Sequence, residues 1–162
     1  MNVSTGGIEH ATFGDTRTEQ DLEAHLRSLI AQLADAPRIH LVMDCLNTHC
    51  SEALVRLAAE LEPEPSALGH KGKSGILQSR STRTAFLRNP EHRLVVYFTP
   101  KHSSWLNQIE IWFSILVRKL LRRSSFINQA HLKAKILDFV EYFNRTMAKP
   151  FKWNYKGKPL TS

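Results

Sequence analysis

Arg38-Ile39-His40-Leu41-Val42-Met43-Asp44 is a short, mostly apolar run that ends abruptly in a carboxylate. Its length and its aliphatic content fit a β-strand of the buried kind over residues 38–44. Leu94-Val95-Val96-Tyr97-Phe98 reads the same way and predicts a second strand over residues 94–98. Upstream of the first strand, Leu22, Leu26, Leu29, Ile30 and Leu33 fall at helical spacing and predict an amphipathic helix over residues 18–34. Thr18 and Asp21 resemble a capping box at its start, with Asp in place of the usual Glu. Between the strands, residues 51–61 read as a helix closed by Pro63 and Pro65, and a short helix is expected near residues 81–87. Helix and strand alternating in this way predict an α/β layer architecture with at least two neighbouring parallel strands. Function in such sheets gathers beyond the carboxyl ends of the strands. Asp44 sits at that edge, and the second strand leads into a segment carrying Glu110.

Further out, Thr5-Gly6-Gly7 is a turn signal, and residues 8–13 are expected to form a strand after it as part of a hairpin. Downstream, Ser103 and Ser104 are candidate caps for a long helix with the apolar stripe Ile109, Trp112, Phe113, Leu116 and Leu120. The same helix is expected to continue through Arg118, Lys119, Arg122 and Arg123. Trp105, Ile109, Trp112 and Phe113 are read as core rather than as a stacking platform for bases, because apolar positions at helical spacing signal burial. Asn128 is a candidate cap for a last helix with Leu132, Ile136, Val140 and Phe143 on one face. Residues 149–160 are aromatic and basic without clear periodicity.

The chain has 162 residues, 42% of them hydrophobic and 23% charged, which suits one compact domain and excludes a disordered tail or a collagen-like chain. No apolar run is long enough for a membrane span, and the first residues lack the basic-then-apolar order of a signal peptide. The expected setting is therefore intracellular and reducing. The net charge of +7 is unevenly divided. Residues 1–63 carry 4 Lys and Arg against 10 Asp and Glu, whereas residues 64–162 carry 18 against 5. That asymmetry suits a polyanionic partner on the C-terminal side, or simply a solvated basic face.

Several chemistries drop out on spacing. Gly72-Lys73-Ser74 resembles the end of a phosphate-binding loop, but the glycine required five residues earlier is Ala67 and no strand precedes it. Cys45 and Cys50 have no matching second pair, which argues against zinc, and two cysteines cannot build a disulfide scaffold. The eight histidines form no HExxH, and there is no GxSxG elbow.

Two segments remain, residues 44–49 (DCLNTH) and residues 99–113 (TPKHSSWLNQIEIWF). A carboxylate at a strand end and a second one on a nearby helix are able to share a hard divalent cation such as Mg²⁺, which prefers oxygen ligands and keeps water for substrate. Two such ions stabilise both the attacking and the leaving oxygen of a phosphodiester. The plainer alternative is that Asp44 caps the following helix and Glu110 lies on a solvated helix face. Arg118, Lys119, Arg122 and Arg123 are suited to neutralising phosphates, or to complementing a helix dipole.

These two segments resemble the catalytic domain of mariner-like bacterial insertion-sequence transposases, relatives of the retroviral integrase superfamily. The likeness rests on the Asp-x-x-x-x-His box at Asp44 and His49 and on the block TPKHSSWLNQIEIWFS over residues 99–114. The tail YFNRTMAKPFKW, residues 142–153, is similar as well, so the resemblance runs over about residues 5–160. It implies an α/β, ribonuclease-H-like three-layer fold with a mixed central sheet. It also implies an Asp-Asp-Glu triad holding two Mg²⁺ or Mn²⁺ ions, which hydrolyses and then joins DNA strands in transposition. By position Asp44 matches the second acidic residue and Glu110 the third, both as metal ligands. Asn47, His49, His102 and Asn107 would support them, and Lys71, Lys73, Lys101, Arg118, Lys119, Arg122 and Arg123 are the candidate DNA contacts. The implied partners are transposon-end and target DNA, a second copy or a full-length transposase, in a bacterial cytoplasm at the nucleoid and without a membrane.

Departures from the family shape the remaining expectations. The usual Asn after the second Asp is Cys45 here, and the interval from Asp44 to Glu110 is lengthened by a basic, glycine-containing insertion over about residues 62–93. The first catalytic Asp belongs at the end of a first strand before the hairpin, and neither Asp15 nor Asp21 replaces it. The expectation is a catalytic-domain portion spanning residues 1–162, lacking the first strand and the N-terminal helix-turn-helix and poorly active alone. A non-catalytic DNA-binding or regulatory remnant is the alternative.

Overall fold

The computed structural model describes residues 1–64, 67–100 and 107–150. They form two compact units, residues 11–113 and residues 1–10 together with 114 onward. The candidate caps Ser103 and Ser104, Trp105, and the tail beyond residue 150 lie outside the described residues.

The first unit opens with α1 (Glu19–Gln32). Thr18 Oγ1 accepts from the Asp21 N–H while the Asp21 carboxylate accepts from the Thr18 N–H, so the capping box forms with Asp in the Glu position. β1 (Ile39–Met43) follows, then a 3-10 turn (Asn47–Cys50) and α2 (Glu52–Glu60), capped by Ser51 Oγ accepting from the Leu54 N–H. α3 (Arg80–Leu87) begins one residue before its expected start, because Ser79 and Thr82 make a second reciprocal capping box. β2 (Leu94–Phe98) falls where expected. It pairs parallel with β1 in the register Ile39↔Leu94 to Met43↔Phe98.

Among the described residues the sheet has these two strands alone and is parallel throughout, so the mixed sheet implied by the resemblance is not seen there. One face, made by Ile39, Leu41, Met43, Leu94, Val96 and Phe98, joins a single apolar cluster with Leu26 and Ile30 of α1, Leu54, Val55, Leu57 and Ala58 of α2, and Leu87 of α3. Leu54, Leu57, Leu77, Leu87 and Leu94 are at most 2% exposed, and each such burial is worth about 1.5–3 kcal/mol. This cluster is what holds the carboxyl ends of β1 and β2 side by side. β1 itself departs from the fully buried strand expected. Ile39 and Met43 are buried, but His40 and Val42 on the other face are exposed. There His40 Nδ1 meets the Tyr97 hydroxyl at 3.1 Å across the ladder.

The basic stretch before α3 is a tight loop rather than an extended arm. His70 and Ser74 bridge across it, and the Leu77 N–H returns to Leu68 O at 3.0 Å. Gly69 has φ +75°, and a Cβ there would lie 2.3 Å from Ser74 O, so only glycine fits this crossing.

The second unit contains the remainder of α4 (Ile109–Lys119), which begins in the first unit, and α5 (Gln129–Thr146). α4 stops at Lys119 and a separate 3-10 turn, Leu121–Arg123, follows, so Arg122 and Arg123 do not continue the same helix as expected. On α4, Trp112 and Leu116 are buried as read, but Phe113 is 47% exposed, a correction to its placement in the core. Asn128 caps α5 through Oδ1, which accepts from the His131 N–H at 2.8 Å. The expected hairpin is absent, because residues 8–13 form no strand. The Ile8 N–H donates to Asn144 Oδ1 (2.8 Å) and Ile8 O accepts from Asn144 Nδ2 (3.0 Å), so an amide side chain of α5 takes the bonds a neighbouring strand would have made.

Candidate catalytic site

Asp44 is the first residue past β1, beside the carboxyl end of β2. The Thr99 N–H donates to Met43 O at 2.8 Å, and Cys45 Sγ donates to Thr99 O at 2.9 Å. Cys45 thus ties the segment carrying Asp44 to the end of β2, a role its thiol fills where the resemblance expects an amide.

The chain then folds back on itself. Asp44 Oδ1 accepts from the Leu46 N–H (3.2 Å), and the 3-10 turn returns His49 so that Nδ1 lies 2.6 Å from the same oxygen. Nδ1 is also 3.2 Å from Asp44 O. Both partners of Nδ1 accept, so that nitrogen carries the proton, and in the neutral ring Nε2 is the acceptor. The two side chains are 24% and 20% exposed, shielded yet still reachable from solvent.

A third side chain holds the segment from the outside. Arg80, at the start of α3, donates from Nη2 to Cys45 O (2.7 Å) and from Nη1 to Asn47 Oδ1 (3.2 Å). Arg83 adds Nε to Cys50 O (3.0 Å) and Nη1 to Leu77 O (3.1 Å). The sequence reading missed Arg80; the only signal was its place after the cap Ser79 in a basic stretch. Asn47 is therefore turned toward Arg80. Leu46, Asn47, Thr48 and His49 line an open cleft of about 730 Å³, with Thr12 and His25, joined at 2.8 Å, among its other walls.

Glu110 lies in the first turn of α4 and is exposed. Its N–H donates to Asn107 O at 3.0 Å, and Asn107 Oδ1 accepts from the Ile109 N–H at 3.5 Å, so Asn107 shapes the helix start. Lys101 and His102 lie outside the described residues. Lys71 is engaged by Glu19 (3.2 Å) and Glu52 (4.0 Å), whereas Lys73 is exposed. Arg118, Lys119, Arg122 and Arg123 are exposed in the second unit, with Arg118 Nε donating to Ser114 O at 3.2 Å.

The structure brings together Asp44, Asn47 and His49, with Arg80 added. Among the described residues no three His, Cys, Asp or Glu side chains gather closely enough to hold a metal ion. The chemistry of Asp44 nonetheless suits a hard cation: with Oδ1 occupied, Oδ2 has no hydrogen-bond partner among the described residues. A metal-bound carboxylate steadied by a second hydrogen bond is the usual arrangement around such ions.

No helix among the described residues is long and apolar enough to cross a membrane. No curated protein and no solved structure matches the chain. Residues 1–133 match the sequence profile of the DDE superfamily endonucleases, a span that includes β1, β2, Asp44 and Glu110. A carboxylate at the end of a parallel strand, braced by an imidazole, is thus found in a chain that belongs to the DDE endonuclease superfamily.

Proposed function

We propose that this chain is the catalytic-domain portion of a transposase, acting on DNA by metal-dependent strand cleavage and strand transfer. The observation that carries the reading is the superfamily match across residues 1–133, with Asp44 at a strand end and its Oδ1 fixed by His49. Asp44 and Glu110 would hold Mg²⁺ or Mn²⁺. When bound, these ions supply Lewis-acid stabilisation of the attacking and leaving phosphodiester oxygens. His49 keeps the Asp44 carboxylate from rotating, and Arg80 and Cys45 fix the backbone on either side of it. Lys73, Arg118, Lys119, Arg122 and Arg123 are assigned to the DNA backbone, where they would position rather than read sequence. Asp21 is committed to its cap, its Oδ2 accepting from Thr16 Oγ1, the Thr18 N–H and Thr18 Oγ1.

The exposed cations at the end of α4 and on the turn after it favour a second reading, a DNA-binding regulator that associates with a complete transposase. Titration with Mn²⁺ in the presence of a DNA duplex separates the two. Catalytic ancestry predicts Mn²⁺ binding that Asp44→Asn and Glu110→Gln each weaken at least tenfold, with plasmid nicking lost in parallel. A regulator predicts DNA binding that neither the metal nor either variant alters. Nicking by both variants at the wild-type rate would show that the carboxylates are wrongly assigned.

A further inference from the structure

From residue 65 to residue 90 the chain has five Lys and Arg and no Asp or Glu. Three of the five, Arg80, Arg83 and Arg88, belong to α3 and its C-cap. Arg83 is spent inward, on Cys50 O and Leu77 O. Arg80 and Arg88 are exposed, and among the described residues neither has a carboxylate within ion-pairing distance. Arg27 of α1 and Arg56 of α2 differ, the first meeting Glu23 (2.7 Å) and Glu60 (2.8 Å) and the second Glu52 (2.6 Å). Two uncompensated guanidiniums on one short helix suit an anion supplied from outside.

Arg80, Thr84 and Arg88 recur every four residues, so they share one face of α3 over about 12 Å of helix axis. With Ser81 and Ala85 they line a shallow recess of about 450 Å³. Its two ends reach the two strands. Arg80 Nη2 donates to Cys45 O at 2.7 Å, just past β1, and the Arg88 guanidinium stands over the Phe98 ring at the end of β2, 5.7 Å from its centroid. The recess thus flanks the carboxyl ends of both strands, the edge where parallel sheets take their ligands. Arg80 uses two of its five N–H donors, on Cys45 O and Asn47 Oδ1, which leaves three for a phosphate without loosening either bond. No aromatic ring on this face is set to stack a base, since Phe86 is half-buried against His92 and Phe98 lies under Arg88. Guanidinium and hydroxyl donors without stacking suit the sugar-phosphate backbone of a duplex rather than an unpaired strand.

We propose that this face of α3, through Arg80, Ser81 and Arg88, seats the backbone of duplex DNA beside the segment that carries Asp44. The assignment rests on the reading of the chain as a DNA-acting enzyme and adds to it the residues that hold the duplex next to the site, whatever its sequence.

Fluorescence anisotropy of the full chain without divalent metal, on duplexes of unrelated sequence, is expected to give one affinity for all, falling with salt. Arg88→Gln removes one phosphate contact and should lower the slope of log K against log salt by about 1. Ala85→Glu removes no hydrogen bond, sets a carboxylate in the recess and is expected to weaken binding about tenfold. Both positions are exposed, so far-UV spectra are expected to be unchanged; should one variant misfold, the other decides. Arg56→Gln takes the same single charge from α2 and is expected to bind like the wild type. If the wild type binds duplex DNA and a folded α3 variant binds it as tightly with the same salt slope, the α3 assignment falls while the DNA reading stands. An equal loss in Arg56→Gln overturns the assignment too, because net charge alone then accounts for the effect. Tighter binding to the unpaired strand overturns the choice of a duplex. A wild-type chain with no affinity for DNA overturns both this assignment and the reading beneath it.

Discussion

Asp44 and His49 stand five positions apart, and a 3-10 turn is what makes that spacing a contact: it brings Nδ1 within 2.6 Å of the carboxylate. The Asp-x-x-x-x-His spacing was therefore legible in the sequence. Arg80 was not, because its targets are the carbonyl of Cys45 and the amide of Asn47, more than thirty residues upstream, and a carbonyl leaves no trace in residue type. His49→Ala is expected to cost about 1 kcal/mol of stability, less than the roughly 1.5–3 kcal/mol of a fully buried bond to a charged group because both partners are partly solvated. It should also weaken Mn²⁺ binding, and His49→Gln, which can still donate, should recover part of that affinity. Arg80→Met keeps the aliphatic stem and removes both donors. Hydrogen exchange is expected to quicken across residues 45–50 in that variant while α1 exchange stays unchanged.

Caps, strands and turns divide cleanly by how local their causes are. Thr18 with Asp21, Ser51, and the run Leu94–Phe98 declare themselves within a few residues, and each of those elements formed where expected. The hairpin over residues 8–13 failed for a distant reason, the Asn144 amide that takes both backbone groups of Ile8. The break after Lys119 likewise has no glycine or proline to announce it. At the α1 cap, the Asp21 carboxyl is held below its ordinary value, first by the Thr18 backbone N–H and then by the hydroxyls of Thr16 and Thr18. Because the folded chain binds this proton less readily than the unfolded one, the cap stabilises the fold above the unfolded value and loses that effect as acid protonates it. Urea midpoints are therefore expected to fall as pH drops below about 4, and Asp21→Asn should flatten part of that decline. Gly69→Ala forces a Cβ against Ser74 O at a positive φ, and a loss of more than about 1 kcal/mol is expected from the same measurement.

The uneven charge of the chain becomes spatial once the structure is considered: Arg118, Lys119, Arg122 and Arg123 are exposed together on the end of α4 and the turn beyond it. Composition left a polyanionic partner and a solvated basic face both open on this side, and the DNA-binding proposal predicts an affinity that falls steeply with salt. Arg122→Ala with Arg123→Ala should reduce the slope of log K against log salt by about 2, measured by fluorescence anisotropy on any duplex sequence. The parallel pairing of β1 with β2 has a further consequence, in time rather than in space. Ile39 meets Leu94 only after α2, the glycine loop and α3 have all been made, so this ladder closes one of the longest loops in the chain. A ribosome releasing the chain exposes β1 first and must extrude residues 94–98 before that strand gains its neighbour. Throughout that interval β1 lacks its β2 neighbour, and unpaired strand edges are templates for pairing between chains, so slower translation between the strands is expected to prolong exposure to aggregation.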